Sequence, residues 1–237
     1  MTPAIPAATL ILLRDRPVGP PEILMVERAA AMAFAGGALV FPGGRIDPGD
    51  EALALAMGDG DLAPRLAAIR ETIEEAGIAI GLPGDVAALR AALAEGAPIG
   101  ALGPVDSSPL IPYARWRPEH VPVRVFDTWF FVARLPDDAP AAVVDATENV
   151  RTLWTTAADA LRAADRGEAA LLFPTRRVLE RLARQADVAA VLADARAWPV
   201  RTITPRVERR GDGDWICIPD DLGYPVTGEP ATRAVRG

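Results

Sequence analysis

The stretch R70-E-T-I-E-E-A-G77 sets Glu71, Glu74 and Glu75 within five residues, behind Arg70 and ahead of Gly77. At about 100° per residue around a helix, the three carboxylates fall within an arc of roughly 100°. Leu66, Ile69, Ile73 and Ala76 fall on the opposite side. The pattern predicts a helix over 61–77 with a buried apolar stripe and a carboxylate stripe facing away from it. Asp61 is a candidate N-cap, Pro64 sits in the first turn and Gly77 is the stop. A solvated acidic face is the ordinary reading of such a cluster, because exposed like charges cost only roughly 0.2–0.5 kcal/mol a pair. Against it, no basic residue stands four positions after any of the three, since 72–79 contains none. The usual helical ion pairs are therefore not available to all three. A hard divalent cation would supply the missing charge, and carboxylates are the ligands that Mg²⁺ or Mn²⁺ prefers.

Upstream, F41-P-G-G44 ends an apolar run with closely approachable backbone, and R45-I-D-P-G-D50 follows. Gly44, five residues, an acid at Asp50 and then R-E-x-x-E-E-x-G resemble the Nudix box, G-x5-E-x7-R-E-U-x-E-E-x-G-U, where U is aliphatic or similar. Arg70, Glu71, Glu74, Glu75, Gly77 and Ile78 match, with Thr72 at the first U. The chain departs from the pattern at Asp50, which replaces a glutamate and is followed at once by Glu51. It departs again in the spacing, where 19 residues separate Asp50 from Arg70 instead of seven. The extra twelve, over 51–62, are expected to loop out ahead of the acidic helix. Coenzyme A diphosphatase-like members of the peroxisomal type look similar in this respect.

The resemblance implies an α/β/α sandwich with a mixed sheet, to which this chain is expected to add extra helices and a C-terminal extension. It implies that Glu71 and Glu75 are the principal Mg²⁺ (or Mn²⁺) ligands, with Glu74 and the carbonyl of Gly44 or Gly43 completing the shell. Arg70 would hold a glutamate in position through a charge-assisted hydrogen bond. The cation would neutralise a diphosphate and help generate the nucleophile. The base would come from the box, here Glu71, or from a later loop, where Glu148 in D145-A-T-E-N149 is the candidate and a surface turn acid the plainer reading.

The run from Leu24 to Gly44 is similar to the coenzyme A pyrophosphatase motif L-L-T-x-R-[SA]-x3-R-x3-G-x3-F-P-G-G. Leu24, Arg28, Ala29, Gly37 and Phe41 to Gly44 match, whereas Val26 replaces the threonine and Ala33 the second arginine. Trp116-Arg117-Pro118 and V123-R-V-F-D-T-W-F-F131 also resemble segments of that subgroup. Arg28, Phe41, Gly43, Arg124 and Asp127 are thus candidate substrate contacts, although Arg124 and Asp127 could equally be strand residues that secure the sheet. The expected substrate is a small-molecule diphosphate, coenzyme A or an acyl derivative first, then ADP-ribose, a nucleotide sugar or a dinucleoside polyphosphate. The other class is a Nudix-fold module that binds a nucleotide without cleaving it, which intact Glu71, Glu74 and Glu75 argue against. Relatives suggest a homodimer.

Bulk properties set the frame. The chain has 237 residues, half of them apolar, with a net charge of −7, enough to bury a real core. The acidic balance argues against a nucleic acid or anionic-membrane partner. No run approaches the roughly 20 apolar residues of a membrane span, so the cytoplasm is the expected location. Cys217, the only cysteine, lies in the apolar run W215-I-C-I218 and reads as a core residue. His120 is also alone, so neither supports Cys/His catalysis or a zinc site.

Apolar runs at 9–13, 23–26 and 38–41, with a turn over 15–21, read as strands, as do 123–133 and 149–154. Helices are expected at 85–94, 157–165 and 174–195, and loop over 96–122. Alternating strands and helices point to a layered α/β domain over 1–198, its box spanning 44–78. Residues 199–237 read as an extension containing a hairpin packed on the domain.

Overall fold

The computed structural model describes residues 4–29, 37–118, 125–144, 149–211 and 213–234. Strands β1 (Ile5–Arg14) and β2 (Glu22–Arg28) pair antiparallel across the predicted turn, and short β3 (Leu39–Val40) and β4 (Gly43–Arg45) follow. Helix α1 is Pro48–Ala56, α2 is Ala63–Ala76 and α3 is Val86–Ala94. Then come β5 (Ile111–Trp116), β6 (Phe126–Arg134), β7 (Asn149–Thr156), α4 (Ala157–Asp165), α5 (Phe173–Leu182) and α6 (Val188–Ala197). The C-terminal part holds β8 (Thr202–Ile203), β9 (Arg206–Arg210), β10 (Gly213–Cys217), β11 (Gly228–Pro230) and the single turn α7 (Ala231–Ala234).

The main sheet runs β3-β2-β1-β6-β5-β8, with β4 added to β1 and β7 to β2. It is mixed: β1 is parallel to β6 and β5 to β8, while the other pairs are antiparallel. Strand β1 shows why. Ile11 and Leu13 enter one core with Val178, Leu179 and Val191, whereas Ala8, Leu10 and Leu12 enter the other with Leu66, Ile69 and Ile73. A strand covered on both faces must be apolar at every position, which accounts for the unbroken run T9-L-I-L-L13. The expected α/β/α sandwich follows, with α1, α2 and α3 against one face and α4, α5 and α6 against the other.

Four local expectations are corrected. The insertion after Asp50 does not simply loop out, because its first part is α1, begun by the reciprocal Asp47–Asp50 capping box with Pro48 at its start. Asp61 does not cap α2; it donates its backbone N–H to Asp59 within the 3₁₀ turn Gly60–Leu62. The expected loop over 96–122 contains β5, with Tyr113, Ala114 and Trp116 buried. The single helix over 174–195 is two, because Asp187 accepts from the Ala190 N–H and starts α6 afresh.

Beyond α6, β8 joins the edge of the main sheet, and β9, β10 and β11 form a separate three-stranded sheet. Its Ile216, with Ile218, Leu222 and Tyr224, fills the α5/α6 core. Cys217 is buried, as its sequence context suggests. Among the described residues no helix is long and apolar enough to cross a membrane.

Candidate active site

Helix α2 carries the site. Leu66, Ile69, Ile73 and Ala76 are buried against β1, so the face bearing Glu71, Glu74 and Glu75 meets β4 and the chain that leads to α1. Gly77 ends the helix in the left-handed conformation at φ 63°, which favours glycine.

Glycine is required in β4 for lack of space. A Cβ on Gly44 would lie 2.5 Å from Cδ of Glu71 and closer still to Oε1. A Cβ on Gly43 would meet the backbone of β1, 2.5 Å from the Ala8 carbonyl oxygen and 2.6 Å from Thr9 Cα. The two glycines therefore let the strand pass between β1 and the carboxylates. The turn into it is fixed by the Pro42 carbonyl, which accepts from Thr9 Oγ1 at 2.7 Å and from the Leu10 N–H at 2.9 Å.

Arg70 is buried and organises the acids around itself. Its Nη1 donates to Glu71 Oε1 and to Glu74 Oε2, each at 2.9 Å, and its Nη2 to Asp50 Oδ2 at 3.0 Å and to the Arg45 carbonyl at 2.7 Å. Three carboxylates thus share one guanidinium. The ion pairs that are missing downstream of the glutamates are supplied from upstream, by a residue one position before Glu71 and four before Glu74. Burial works against the charge of Arg70, but Glu71, Asp50 and Glu74 together hold its pKa above the usual arginine range. Burial also dominates at Glu71: opposed by Arg70 and reinforced by Glu75 and Glu74, it pushes that carboxyl up to about 8. Glu74 is raised by burial as well, against the pull of Arg70.

Glu75 is held differently. Its Oε2 accepts from the Gly43 N–H at 2.9 Å, its Oε1 accepts from Asn149 Nδ2 at 3.2 Å, and Arg28 Nη1 lies 3.8 Å from the same Oε1. Four elements, β2, β4, β7 and α2, converge on this one carboxylate. Among the described residues no three acidic, cysteine or histidine side chains form a finished metal cage. Arg70 lies between Glu71 and Glu74, and Glu75 turns to Gly43 and Asn149.

Of the residues singled out in the sequence, Arg28, Gly43, Gly44, Arg70, Glu71, Glu74 and Glu75 come together. The Phe41 ring is buried edge-on against Phe130, 6.4 Å between centroids. Asp127 lies on β6 in a two-pronged pair with Arg115 at 2.7 and 2.8 Å. Arg124 and Glu148 lie outside the described residues. Two members of the constellation had no role from the sequence, Asp50 as the partner of Arg70 and Asn149 as the partner of Glu75. Nothing in the strand's own sequence, N149-V-R-T-L-W-T-T156, marks the second.

The NUDIX domain matches residues 4–175. The fold is similar to that of a NUDIX hydrolase from Alicyclobacillus acidocaldarius, with 29% identity and a TM-score of 0.73 over 81% of this chain and 97% of that one. Weaker likenesses include a C. elegans Ap4A hydrolase, with 20% identity and a TM-score of 0.39 over 70% of this chain and 89% of that one. The NUDIX domain of Shewanella oneidensis NrtR, complexed with ADP ribose, gives 14% identity and 0.42 over 78% and 88%. No curated protein matches the chain. With fold, box and family match in agreement, the chain belongs to the Nudix family, among its pyrophosphatase hydrolases.

Proposed function

We propose that the chain is a divalent-metal-dependent hydrolase of a nucleoside diphosphate joined to another moiety, with coenzyme A or an acyl-coenzyme A as substrate. The observation that carries the metal-dependent reading is the convergence of Glu71 on Gly44 and of Glu75 on the Gly43 N–H, with Glu74 alongside. This donor set is all oxygen, as a hard cation prefers, and the shared guanidinium leaves the cluster short of positive charge. Glu71 and Glu75 would be the principal Mg²⁺ or Mn²⁺ ligands, joined by Glu74 and the Gly44 carbonyl. When bound, the cation neutralises diphosphate oxygens and acidifies the attacking water.

Arg70 and Asp50 keep the acidic helix fixed against β4. Arg28, beside Glu75, is the best-supported contact for a substrate phosphate, and Glu71 or Glu148 is the base. The coenzyme A assignment rests on the sequence run from Leu24 to Gly44 and on the insertion in the box. The Nudix domain would cover 1–198, with 199–237 an extension.

The test is to incubate the protein with Mg²⁺ and a panel of coenzyme A, ADP-ribose, a nucleotide sugar and a dinucleoside polyphosphate, and to identify the products. Release of 3′,5′-ADP and 4′-phosphopantetheine is expected. Cleavage of another diphosphate alone would reassign the substrate. Tight metal-dependent nucleotide binding without turnover would make the chain a binding module.

A further inference from the structure

Asn149 is the first residue of β7 and is only 2% exposed. Asparagine is depleted in strands, and at so buried a position an aliphatic residue would fill the space without a polar cost. The cost here is real. Nδ2 donates to Glu75 Oε1, but Oδ1 is buried with no hydrogen-bond partner. An unsatisfied buried acceptor costs roughly 1–3 kcal/mol, and such groups in native structures call for an explanation. Position supplies one. Asn149 is the register partner of Arg28, at the point where the β2/β7 pairing shifts, so the amide reaches Glu75 from the side opposite the Gly43 N–H's oxygen.

We infer that Asn149 is a positioning residue for Glu75, which fixes the plane of that carboxylate in readiness for a divalent cation, and that its open Oδ1 accepts from water at the site. The inference rests on the metal-dependent reading of the acidic helix. The Gly43 N–H holds Oε2 and Asn149 Nδ2 holds Oε1, beside the longer Arg28 contact at 3.8 Å, so donors on both oxygens set the plane of the carboxylate. Outer-shell hydrogen bonds of this kind are worth roughly 10–100-fold in metal affinity when removed.

The test uses Asn149→Leu, close in size and without hydrogen-bonding groups, and Asn149→Ser, smaller and polar, in case the first does not fold. Binding of Mn²⁺ alone is measured from the free-ion resonance signal, beside the melting temperature in metal-free buffer. The expected result is a Mn²⁺ Kd raised at least about tenfold, with the metal-free melting temperature of Asn149→Leu little changed, since the orphaned Oδ1 and the donor to Glu75 are lost together. A lowered melting temperature with unchanged Mn²⁺ affinity would make Asn149 merely structural and overturn the inference. Wild-type protein that binds Mn²⁺ but cleaves no diphosphate would refute the proposed reaction while leaving the role of Asn149 intact. Wild-type protein that binds no Mn²⁺ would remove both.

Discussion

The carboxylate of Asp50 is wholly buried against the guanidinium of Arg70, with Oδ2 3.0 Å from Nη2 and both oxygens 3.3 Å from Nε. Nineteen residues separate the two in the chain, and α1 closes the gap. The capping box at its start turns Asp50 inward, and Asp50 Oδ2 also accepts from the Asp47 N–H at 2.9 Å. Both oxygens of Asp50 are thus committed to Arg70 and to the start of α1.

Asp50→Ala should leave Arg70 buried with a partner missing and α1 without half of its capping box. Removing one member of a buried pair costs roughly 3–5 kcal/mol, and the surviving contacts to Glu71, Glu74 and the Arg45 carbonyl favour the low end. Urea unfolding measures the loss. A change below about 1 kcal/mol, the range of exposed pairs, would mean that the pair adds nothing beyond a surface one.

The adjacent glycines of β4 should fail in different ways. In Gly43→Ala the new methyl meets β1 backbone, which cannot move without breaking the sheet, so the melting temperature should fall by several degrees for each kcal/mol lost, on the order of 2–4 °C at this chain length. In Gly44→Ala it meets the end of the Glu71 side chain, which can swing aside. Stability should then change little while metal binding and hydrolysis collapse. Parallel melting and turnover assays separate the two, and equal behaviour would refute the difference in their surroundings.

The acidic helix was legible because its period, its stop glycine and its box spacing all pointed the same way. β1 was legible because a strand covered on both faces must be apolar throughout. The rest depended on contacts far apart in sequence. β5 hides among Gly, Pro and Ser, since its burial comes from α5, α6 and the tail: Trp116 Nε1 donates to Tyr224 Oη at 3.2 Å, 108 residues on. The break between α5 and α6 was signalled only by Asp187, one capping residue inside a long helical pattern. Asp50 stood in the right place for the box, but its role needed the fold of the insertion, and Asn149 became meaningful only when β7 came alongside β2.

Buried charge also ties the C-terminal sheet to α5. Arg177 Nη2 donates to Glu180 Oε1 at 2.9 Å and to Glu229 Oε2 at 3.2 Å. Burial outweighs the pull of Arg177 and Arg176 and pushes Glu180 up to about 6 from its ordinary 4.5. Between these values the unfolded chain has lost a proton that the folded protein keeps. The Glu180 contribution is therefore fully present below pH 4.5 and lost as pH rises through about 6, a change of about 2 kcal/mol. The difference in unfolding free energy between wild type and Glu180→Gln should slope across that window and level off above it. A flat difference would mean that Glu180 titrates normally.

Glu75→Gln is the most direct test of the acidic helix. The substitution keeps the size of the side chain, but two donors, the Gly43 N–H and Asn149 Nδ2, converge on the two oxygens of Glu75. A glutamine can accept at only one end, so its own NH₂ must face one of these donors, and the negative charge is gone as well. If Glu75 ligates the cation, hydrolysis should drop by roughly a hundredfold or more, in line with the several kcal/mol that metal-assisted charge stabilisation supplies. Mn²⁺ binding should weaken in parallel, and near-ultraviolet circular dichroism should remain that of the wild type. Full activity in this variant would sink the metal assignment. A loss of activity with unaltered Mn²⁺ affinity would move Glu75 from holding the cation to handling the proton of the attacking water.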